Sequence, residues 1–325
     1  MKKTAFVTGM TGQDGPYLAK LLLEKDYQVF GLVKRYSNPN LDNIKWLGIE
    51  NDIELVTGDI TDENSMNHLI RSLKPVEIYN LAAQSFVGIS WDLNKLTTEV
   101  NSIGPLNILN AIKTHSPNSR FYQASTSEMF GNAITNTQNE TTPFTPRSPY
   151  GVSKLYSHWM TVNFRESYSL YACSGVLFNH ESPLRGKEFV TRKVTDAVAR
   201  IKLGLQETIT LGNIDSRRDW GFAGDFVEAM WLMLQQAEAK DYVIATGEQH
   251  TIRELLDVAF NYVNIPDWES KVLTDPRFKR PAELYSLCGD STRARSLLDW
   301  KPKTTFKQMI EDMVNADLQR YQVRQ

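Results

Sequence analysis

Cysteine is nearly missing from this chain of 325 residues: only Cys173 and Cys288 are present, far apart and outside any metal-ligand spacing. That excludes a disulfide framework and gives no thiolate metal site, and both are read as buried thiols with no metal expected. No stretch approaches the roughly 18 consecutive apolar residues of a membrane-spanning helix. The amino terminus runs from Met1 through two lysines straight into Thr4-Ala-Phe-Val-Thr8, with no apolar signal region. The expectation is a cytoplasmic protein without a membrane partner. An excess of one charge is missing too, since 36 Lys and Arg face 38 Asp and Glu for a net charge of −2. Such a balance predicts no nucleic-acid partner, so any phosphate recognition must be local. Internal repeats, low-complexity tracts and long linkers are also lacking.

With 41% hydrophobic and 23% charged residues, the chain can bury a sizeable core, in one large domain or two. Short β-rich runs recur through the first half: Ala5–Thr8, Val29–Val33, Ile53–Val56, Val76–Asn80, Arg120–Gln123 and Ala172–Leu177. Between them, Tyr17–Glu24 and Leu106–Ile112 place apolar residues three and four apart, the stripe of a helix packed on a sheet. That alternation predicts a doubly wound parallel α/β sheet. After Asn179 the pattern loosens into shorter elements, although Asp225–Leu234 again reads as a strong helix. Residues 1–178 are therefore expected to form a nucleotide-binding domain of Rossmann type, with 220–247 returning to it. Residues 179–325 are expected mainly in a smaller, interrupted α/β substrate domain, with a ligand cleft between the two.

The first strand leads into Thr8-Gly-Met-Thr-Gly-Gln-Asp-Gly15, which sets Gly9, Gly12 and Gly15 at three-residue intervals just before a helix beginning near Tyr17. Glycines there permit a tight turn and close approach of backbone to a pyrophosphate, whose charge meets the free N–H groups of the helix. At the end of the second strand, where an NAD site would set an acidic residue against the ribose, stand Lys34 and Arg35. Two cations favour a 2′-phosphate, hence NADP. Asp59, after the third strand, is a candidate for the adenine amine, and Leu81-Ala-Ala-Gln-Ser85, after the fourth, offers small residues for a nucleotide to lie against.

Beyond the fifth strand come Ala124-Ser-Thr-Ser-Glu128 and then Tyr150-Gly-Val-Ser-Lys154. Tyr150 and Lys154 share a helical face, and an ammonium beside a phenol is expected to lower its pKa from about 10, making Tyr150 a base for a sugar hydroxyl. Thr126 would hold that hydroxyl. Hydride transfer alone needs no further carboxylate, whereas an elimination needs a base at the neighbouring carbon, a task that fits Glu128.

The words Thr8–Gly15, Tyr122-Gln-Ala-Ser-Thr-Ser-Glu128, Arg147-Ser-Pro-Tyr-Gly151, Leu177-Phe-Asn-His-Glu-Ser-Pro183, Phe189-Val-Thr-Arg-Lys193 and Arg217-Arg-Asp-Trp-Gly221 together resemble the GDP-mannose 4,6-dehydratase family of extended short-chain dehydrogenases/reductases, over nearly the whole chain. The resemblance implies cofactor contacts at Gly9, Thr11, Gly12, Gln13, Asp14, Gly15, Lys34, Arg35, Ser37, Asp59, Ile60, Leu81, Ala82, Ala83, Gln84 and Ser85, with later ones at Tyr150, Lys154, His180 and Arg185. It implies a sugar-nucleotide site at Ser85, Glu128, Tyr150, Asn179, Glu181, Val190, Lys193, Gly212, Arg218, Arg280 and Glu283. It further implies GDP-mannose or a related GDP-manno-sugar as substrate and a homodimer or homotetramer. The chain departs from the family's pattern at Pro16, at Leu96 and in the segment after Arg35. A GDP-sugar reductase or epimerase of the same superfamily, or a non-catalytic dinucleotide sensor, would need no base at Glu128.

Overall fold

The computed structural model describes residues 2–35, 39–133, 135–275 and 287–322. The first-half runs become strands β1 (Lys3–Thr8), β2 (Tyr27–Val33), β3 (Glu54–Thr57), β4 (Glu77–Asn80), β5 (Arg120–Thr126) and β6 (Ala172–Leu177). They alternate with helices α1 (Asp14–Glu24), α2 (Asp42–Trp46), α3 (Glu63–Leu73), α4 (Asn94–Thr98), α5 (Gly104–His115) and α6 (Pro149–Tyr168). The later part contributes β7 (Asn179–Glu181), α7 (Val190–Lys202), β8 (Ile209–Leu211), β9 (Arg217–Phe222), α8 (Ala223–Gln235) and β10 (Tyr242–Ile244). It ends with β11 (Gln249–Thr251), α9 (Ile252–Tyr262), β12 (Val272–Thr274), α10 (Thr292–Leu298) and α11 (Phe306–Gln322).

One seven-stranded sheet, parallel throughout, runs in the order β10-β6-β5-β4-β1-β2-β3. Its central strands β4 and β6 are buried at every residue, because helices cover both faces. On one face α1 and α8 pack Leu18, Leu22, Met230 and Leu234 against Val7, Tyr79 and Tyr122. On the other, α3, α5 and α6 pack Met66, Ile70, Ile108, Ile112 and Phe164 against Phe6, Ile78 and Phe121. Helix α1 begins at Asp14, ahead of the expected start near Tyr17. Pro16 then occupies a first-turn position whose N–H has no intrahelical partner, so it costs no hydrogen bond.

Past β6 the chain alternates between two regions. Strands β11, β9 and β7 form a small mixed sheet and β12 pairs with β8, while α7, α9 and α11 bury Val194, Val198, Leu255, Phe260, Met309 and Met313 in a second core. Between these elements, α8 packs on α1 and β10 adds the last strand to the large sheet beside β6. Buried polar groups stand where the chain passes from one region to the other. Asp219 of β9, for instance, accepts from the backbone of Thr246, Gly247 and Gly289 at 3.0, 2.9 and 3.2 Å.

Helix α11 is fastened to α7 by one buried ion pair. Asp317 receives Arg192 Nη2 at 2.6 Å and Thr195 Oγ1 at 2.8 Å. Arg192 also donates to the carbonyls of Pro183 and Arg185, and Arg320 to that of Pro183, so the α7–α11 joint holds the segment that follows β7. Asp317→Asn leaves a buried guanidinium without its counter-charge and is expected to cost about 3 to 5 kcal/mol of stability. Urea denaturation of the variant beside the parent checks this, and an unchanged midpoint would contradict it.

Candidate active site

Strand order reverses between β1 and β4, and the crossover connections on either side leave in opposite directions. Such a reversal opens a crevice at the carboxyl ends of the strands. Here it is a cleft of about 580 Å³, walled by the turn after β1, the end of β2, the loops after β4 and β5, the start of α6 and the stretch from Leu177 to Phe189.

The turn after β1 depends on its glycines. Gly9 has φ +70°, and a Cβ there would lie 2.8 Å from the Ala82 nitrogen; a Cβ on Gly15 would come 2.6 Å from the Gly9 carbonyl. No side chain caps the start of α1, so its first N–H groups and positive dipole end face the cleft, where an anion is stabilised. The next two side chains tie this turn to the segment after β6. Gln13 donates to the His180 carbonyl at 3.0 Å and accepts from Ser182 at 2.9 Å. Asp14 meets His180 Nε2 at 2.8 Å, while His180 Nδ1 lies 2.8 Å from the Phe178 carbonyl and its ring stacks on Phe226. Burial alone would lower the His180 pKa, but the Asp14 carboxylate beside it raises the pKa above the ordinary 6.5. Burial works against the Asp14 carboxylate in the same way, and His180 with Gln13 holds it below its usual 3.8.

The opposite wall carries the other four candidates. Thr126 ends β5 and accepts the Glu128 backbone N–H at 3.2 Å, which turns Glu128 toward the cleft. Ser148 caps α6 by accepting from Gly151 N at 3.0 Å, and Pro149 takes the first helical position. Tyr150 and Lys154 then stand one turn apart, both buried and both lining the cleft. The expectation of a lowered phenol pKa is not met in the chain itself. Burial, together with the Glu128 charge, pushes Tyr150 up to about 12, against a hydrogen bond from Thr126. Lys154 donates to the Ala124 carbonyl at 2.8 Å, and burial brings its ammonium down to about 8.

The remaining candidates divide by position. Gly9, Thr11, Gly12, Gln13, Asp14, Gly15, Lys34, Ile60, Leu81, Ala82, Ala83, Gln84, Ser85, Asn179, His180 and Arg185 line the same cleft. Arg35 is exposed outside the lining. Asp59 turns to Lys34, 3.0 Å away. Burial would raise its pKa, but the hydrogen bonds from Thr61 and Lys34 hold it below the usual value. Glu181 is buried behind the lining, where Thr191 donates to it at 2.5 Å and Arg185 Nε pairs with it at 3.1 Å. Val190 and Lys193 lie in the first turn of α7, and Lys193 donates to the Thr210 carbonyl at 2.8 Å, two residues before Gly212. Arg218 is buried on β9. Ser37, Arg280 and Glu283 lie outside the described residues.

Sequence reasoning missed several wall residues. Asn43 of α2 donates to the carbonyls of Gly12 at 2.9 Å and Leu184 at 3.2 Å, roofing the glycine turn. Phe86 and Phe189 meet edge to face at 5.7 Å, and the Arg185 guanidinium lies 3.5 Å over the Phe189 ring. Asn43 carries no local signal. A phenylalanine next to Ser85 could have been flagged as a large apolar group within a run of small residues.

The family model described as GDP-mannose 4,6 dehydratase matches residues 6–313 of this chain. The chain is 49% identical over 328 residues to GDP-mannose 4,6 dehydratase 1 of Arabidopsis thaliana, covering 98% of this chain and 90% of that protein. It is 47% identical over 342 residues to the Homo sapiens GDP-mannose 4,6 dehydratase, covering 98% and 92%. Among solved structures it resembles DesIV, a dTDP-glucose 4,6-dehydratase from Streptomyces venezuelae with NAD and TYD bound, with a TM-score of 0.87, 23% identity and 98% coverage of each chain. That likeness concerns the fold alone, a Rossmann-type parallel α/β architecture.

The Asp14–His180 pair ties the turn to the second region in a pH-dependent way. Because the folded-state pKa of His180 is raised, its contribution is fully present below about 6.5 and is lost as pH rises through the folded value. The Asp14 side of the pair is lost only as pH falls through a value below 3.8. His180→Gln is therefore expected to be destabilised by on the order of 2 to 3 kcal/mol near pH 6, with a gap to the parent that narrows as pH rises. Denaturation midpoints across that range test it; a constant gap would remove the charge from the account.

Proposed function

The chain belongs to the GDP-mannose 4,6-dehydratase family, and from that membership we propose that it converts GDP-mannose to GDP-4-keto-6-deoxymannose, by oxidation at C4, loss of water across C5 and C6, and return of the hydride at C6. The observation that carries this reading is the convergence of Thr126, Glu128, Tyr150 and Lys154 on one cleft that also contains the glycine turn.

The cleft suits a nicotinamide dinucleotide: bare backbone at Gly9 and Gly12, an uncapped helix start and the small residues Ala82 and Ala83 give the diphosphate and ribose room. When bound, such a cofactor accepts a hydride and gives it back, so none is consumed. Lys34 at the end of β2 supports a 2′-phosphate, hence NADP rather than NAD, although it also pairs with Asp59. Tyr150 exchanges the proton of the sugar 4-hydroxyl. Against the burial that keeps it a phenol stand the Thr126 hydroxyl and the Arg185 charge, and in this reading the Lys154 ammonium, one helical turn away, adds to them. Once C4 is a ketone, the C5 proton is acidified, and Glu128 removes it. The proton is then delivered to the leaving 6-hydroxyl, and when the hydride returns at C6 the carbon at C5 takes up one proton, which balances the one Tyr150 removed from the 4-hydroxyl. In this reading Asn179 contacts the sugar nucleotide directly and Val190, Lys193, Gly212 and Arg218 contribute from the second region. Glu181 acts from behind, by holding Arg185 toward the cleft.

The enzyme is read as cytoplasmic, consistent with two buried free cysteines and with the lack of any helix, among the described residues, long and apolar enough to cross a membrane. A second copy of the chain is the expected partner, because Val152 and Trp159 of α6, each 56% exposed, are joined by exposed Leu96 of α4 and exposed Ile103 of the turn after it, on elements that pack against α6. Sedimentation should give a dimer or larger, and Trp159→Glu should shift it toward monomer; a parent that sediments as a monomer overturns the assembly reading.

GDP-mannose incubated with the protein, without added cofactor or with NADP+, should lose the mass of one water with no net change in cofactor redox state. Glu128→Gln should slow water loss by on the order of a hundredfold or more while reduced nicotinamide builds up on the enzyme. Consumption of NADPH on a GDP-4-keto sugar, with no water lost from GDP-mannose, would make the protein a reductase instead.

A further inference from the structure

A buried chain of side-chain hydrogen bonds crosses the carboxyl ends of β1, β4 and β5. The backbone N–H groups of Leu81 and Ala82 both donate to Thr8 Oγ1, at 3.1 Å each. Thr8 Oγ1 donates to Asn80 Oδ1 at 2.6 Å, Asn80 Nδ2 to Gln123 Oε1 at 2.8 Å, and Gln123 Nε2 to the Ala124 carbonyl at 3.0 Å. That same carbonyl receives the Lys154 ammonium at 2.8 Å. Thr8, Asn80 and Gln123 are each 0% exposed, so no solvent competes for these groups.

The direction of every link follows from the first. A hydroxyl has one proton, and two amide donors already fill the acceptor side of Thr8, so its proton must go to Asn80. That sets the Asn80 amide with oxygen toward Thr8 and nitrogen toward Gln123, which in turn sets Gln123 with nitrogen toward Ala124. A carbonyl has two lone pairs. Gln123 takes one, and the ammonium is confined to the other.

We propose that Thr8, Asn80 and Gln123 are positioning residues, which fix from the phosphate-turn side the carbonyl that anchors Lys154. Lys154 then depends for its placement on the Leu81–Ala82 backbone, against which Gly9 packs at a distance that no side chain would allow. The inference rests on reading Lys154 as the cation that acts on Tyr150. The ladder itself is neutral. The other ionisable groups of the cleft that holds Lys154 are Tyr150 on its own helix, Asp14 at the start of α1 with His180 paired to it, Glu128 after β5, Arg185 before α7 and Lys34 after β2, which pairs with Asp59. Burial is the main influence on the ammonium, with the Asp14 charge opposing it.

The test follows the Lys154 titration by NMR of the full chain carrying lysine labelled at Cε, assigned with Lys154→Arg, beside kcat and KM on GDP-mannose. Gln123→Glu places a carboxyl next to the anchor and should raise the Lys154 midpoint by about one pH unit. Thr8→Val removes the hydroxyl that orients the ladder; it should displace the midpoint and lower kcat about tenfold with KM changed less than about twofold. Thr8→Ser keeps the hydroxyl and should restore both. Unmoved midpoints in folded Gln123→Glu and Thr8→Val, or a Thr8→Ser variant that behaves like Thr8→Val, would overturn the proposal. If Thr8→Val fails to fold, Gln123→Glu decides alone. Displaced midpoints in a protein whose parent does not dehydrate GDP-mannose would support the ladder and remove the dehydratase reading.

Discussion

The reversal of strand order between β1 and β4 is the constraint on which the rest of the site depends. A parallel sheet needs a crossover after every strand, and at this junction the crossovers depart to opposite faces, leaving the strand ends uncovered. Backbone groups exposed there cannot be satisfied by another strand. Part of the answer is the glycine turn, which folds back on itself with Gly12 N donating to the Gly9 carbonyl at 3.0 Å. Another part is side chains such as Thr8 and Asn80, buried polar residues that would be costly anywhere without partners. The opening left over is the cleft.

A crevice at the end of one sheet has only half its walls. The other half is brought by the segment after β6, and long-range polar contacts fix it there beside apolar ones. Gln13, Asp14 and Asn43 from the early chain meet His180, Ser182 and Leu184 from the later one. Behind them, Arg192 and Arg320 clamp the Pro183 and Arg185 carbonyls to the α7–α11 joint. Arg185 thus reaches the cleft with its backbone tied to one ion pair and its side chain steadied by Glu181 and Phe189. Directional contacts suit this joint, because a wall displaced by an ångström misaligns whatever reacts between the halves.

The doubly wound sheet was legible in the sequence because its evidence is local. The spacing of Gly9, Gly12 and Gly15, the alternation of β-rich runs with helical stripes, and the Tyr150–Lys154 interval each lie within a few residues of chain. The pairing of Lys34 with Asp59 and the roofing role of Asn43 were not legible, because each is a contact between segments that only the fold brings together. The missed phenol shift has a different cause. Spacing alone says that an ammonium stands near Tyr150, but the sign of the shift is set by how much water remains. With Tyr150 buried, desolvation outweighs the neighbouring charge.

That reversal bears on how the two groups work together. Burial moves the phenol up to about 12 and the ammonium down to about 8, so both are pressed toward their neutral forms. Formation of a phenolate therefore draws on every nearby group that stabilises charge: the Thr126 hydroxyl, the Arg185 guanidinium and, in the proposed reading, a Lys154 that remains protonated. A lysine free to swing in a dry pocket would lose its proton more readily, because its neutral amine needs fewer partners. Holding it against a carbonyl whose own geometry is set from the phosphate turn keeps the cation where the phenol needs it. The glycine turn and the carbonyl that anchors Lys154 are thus joined by neutral hydrogen bonds rather than by a further buried charge.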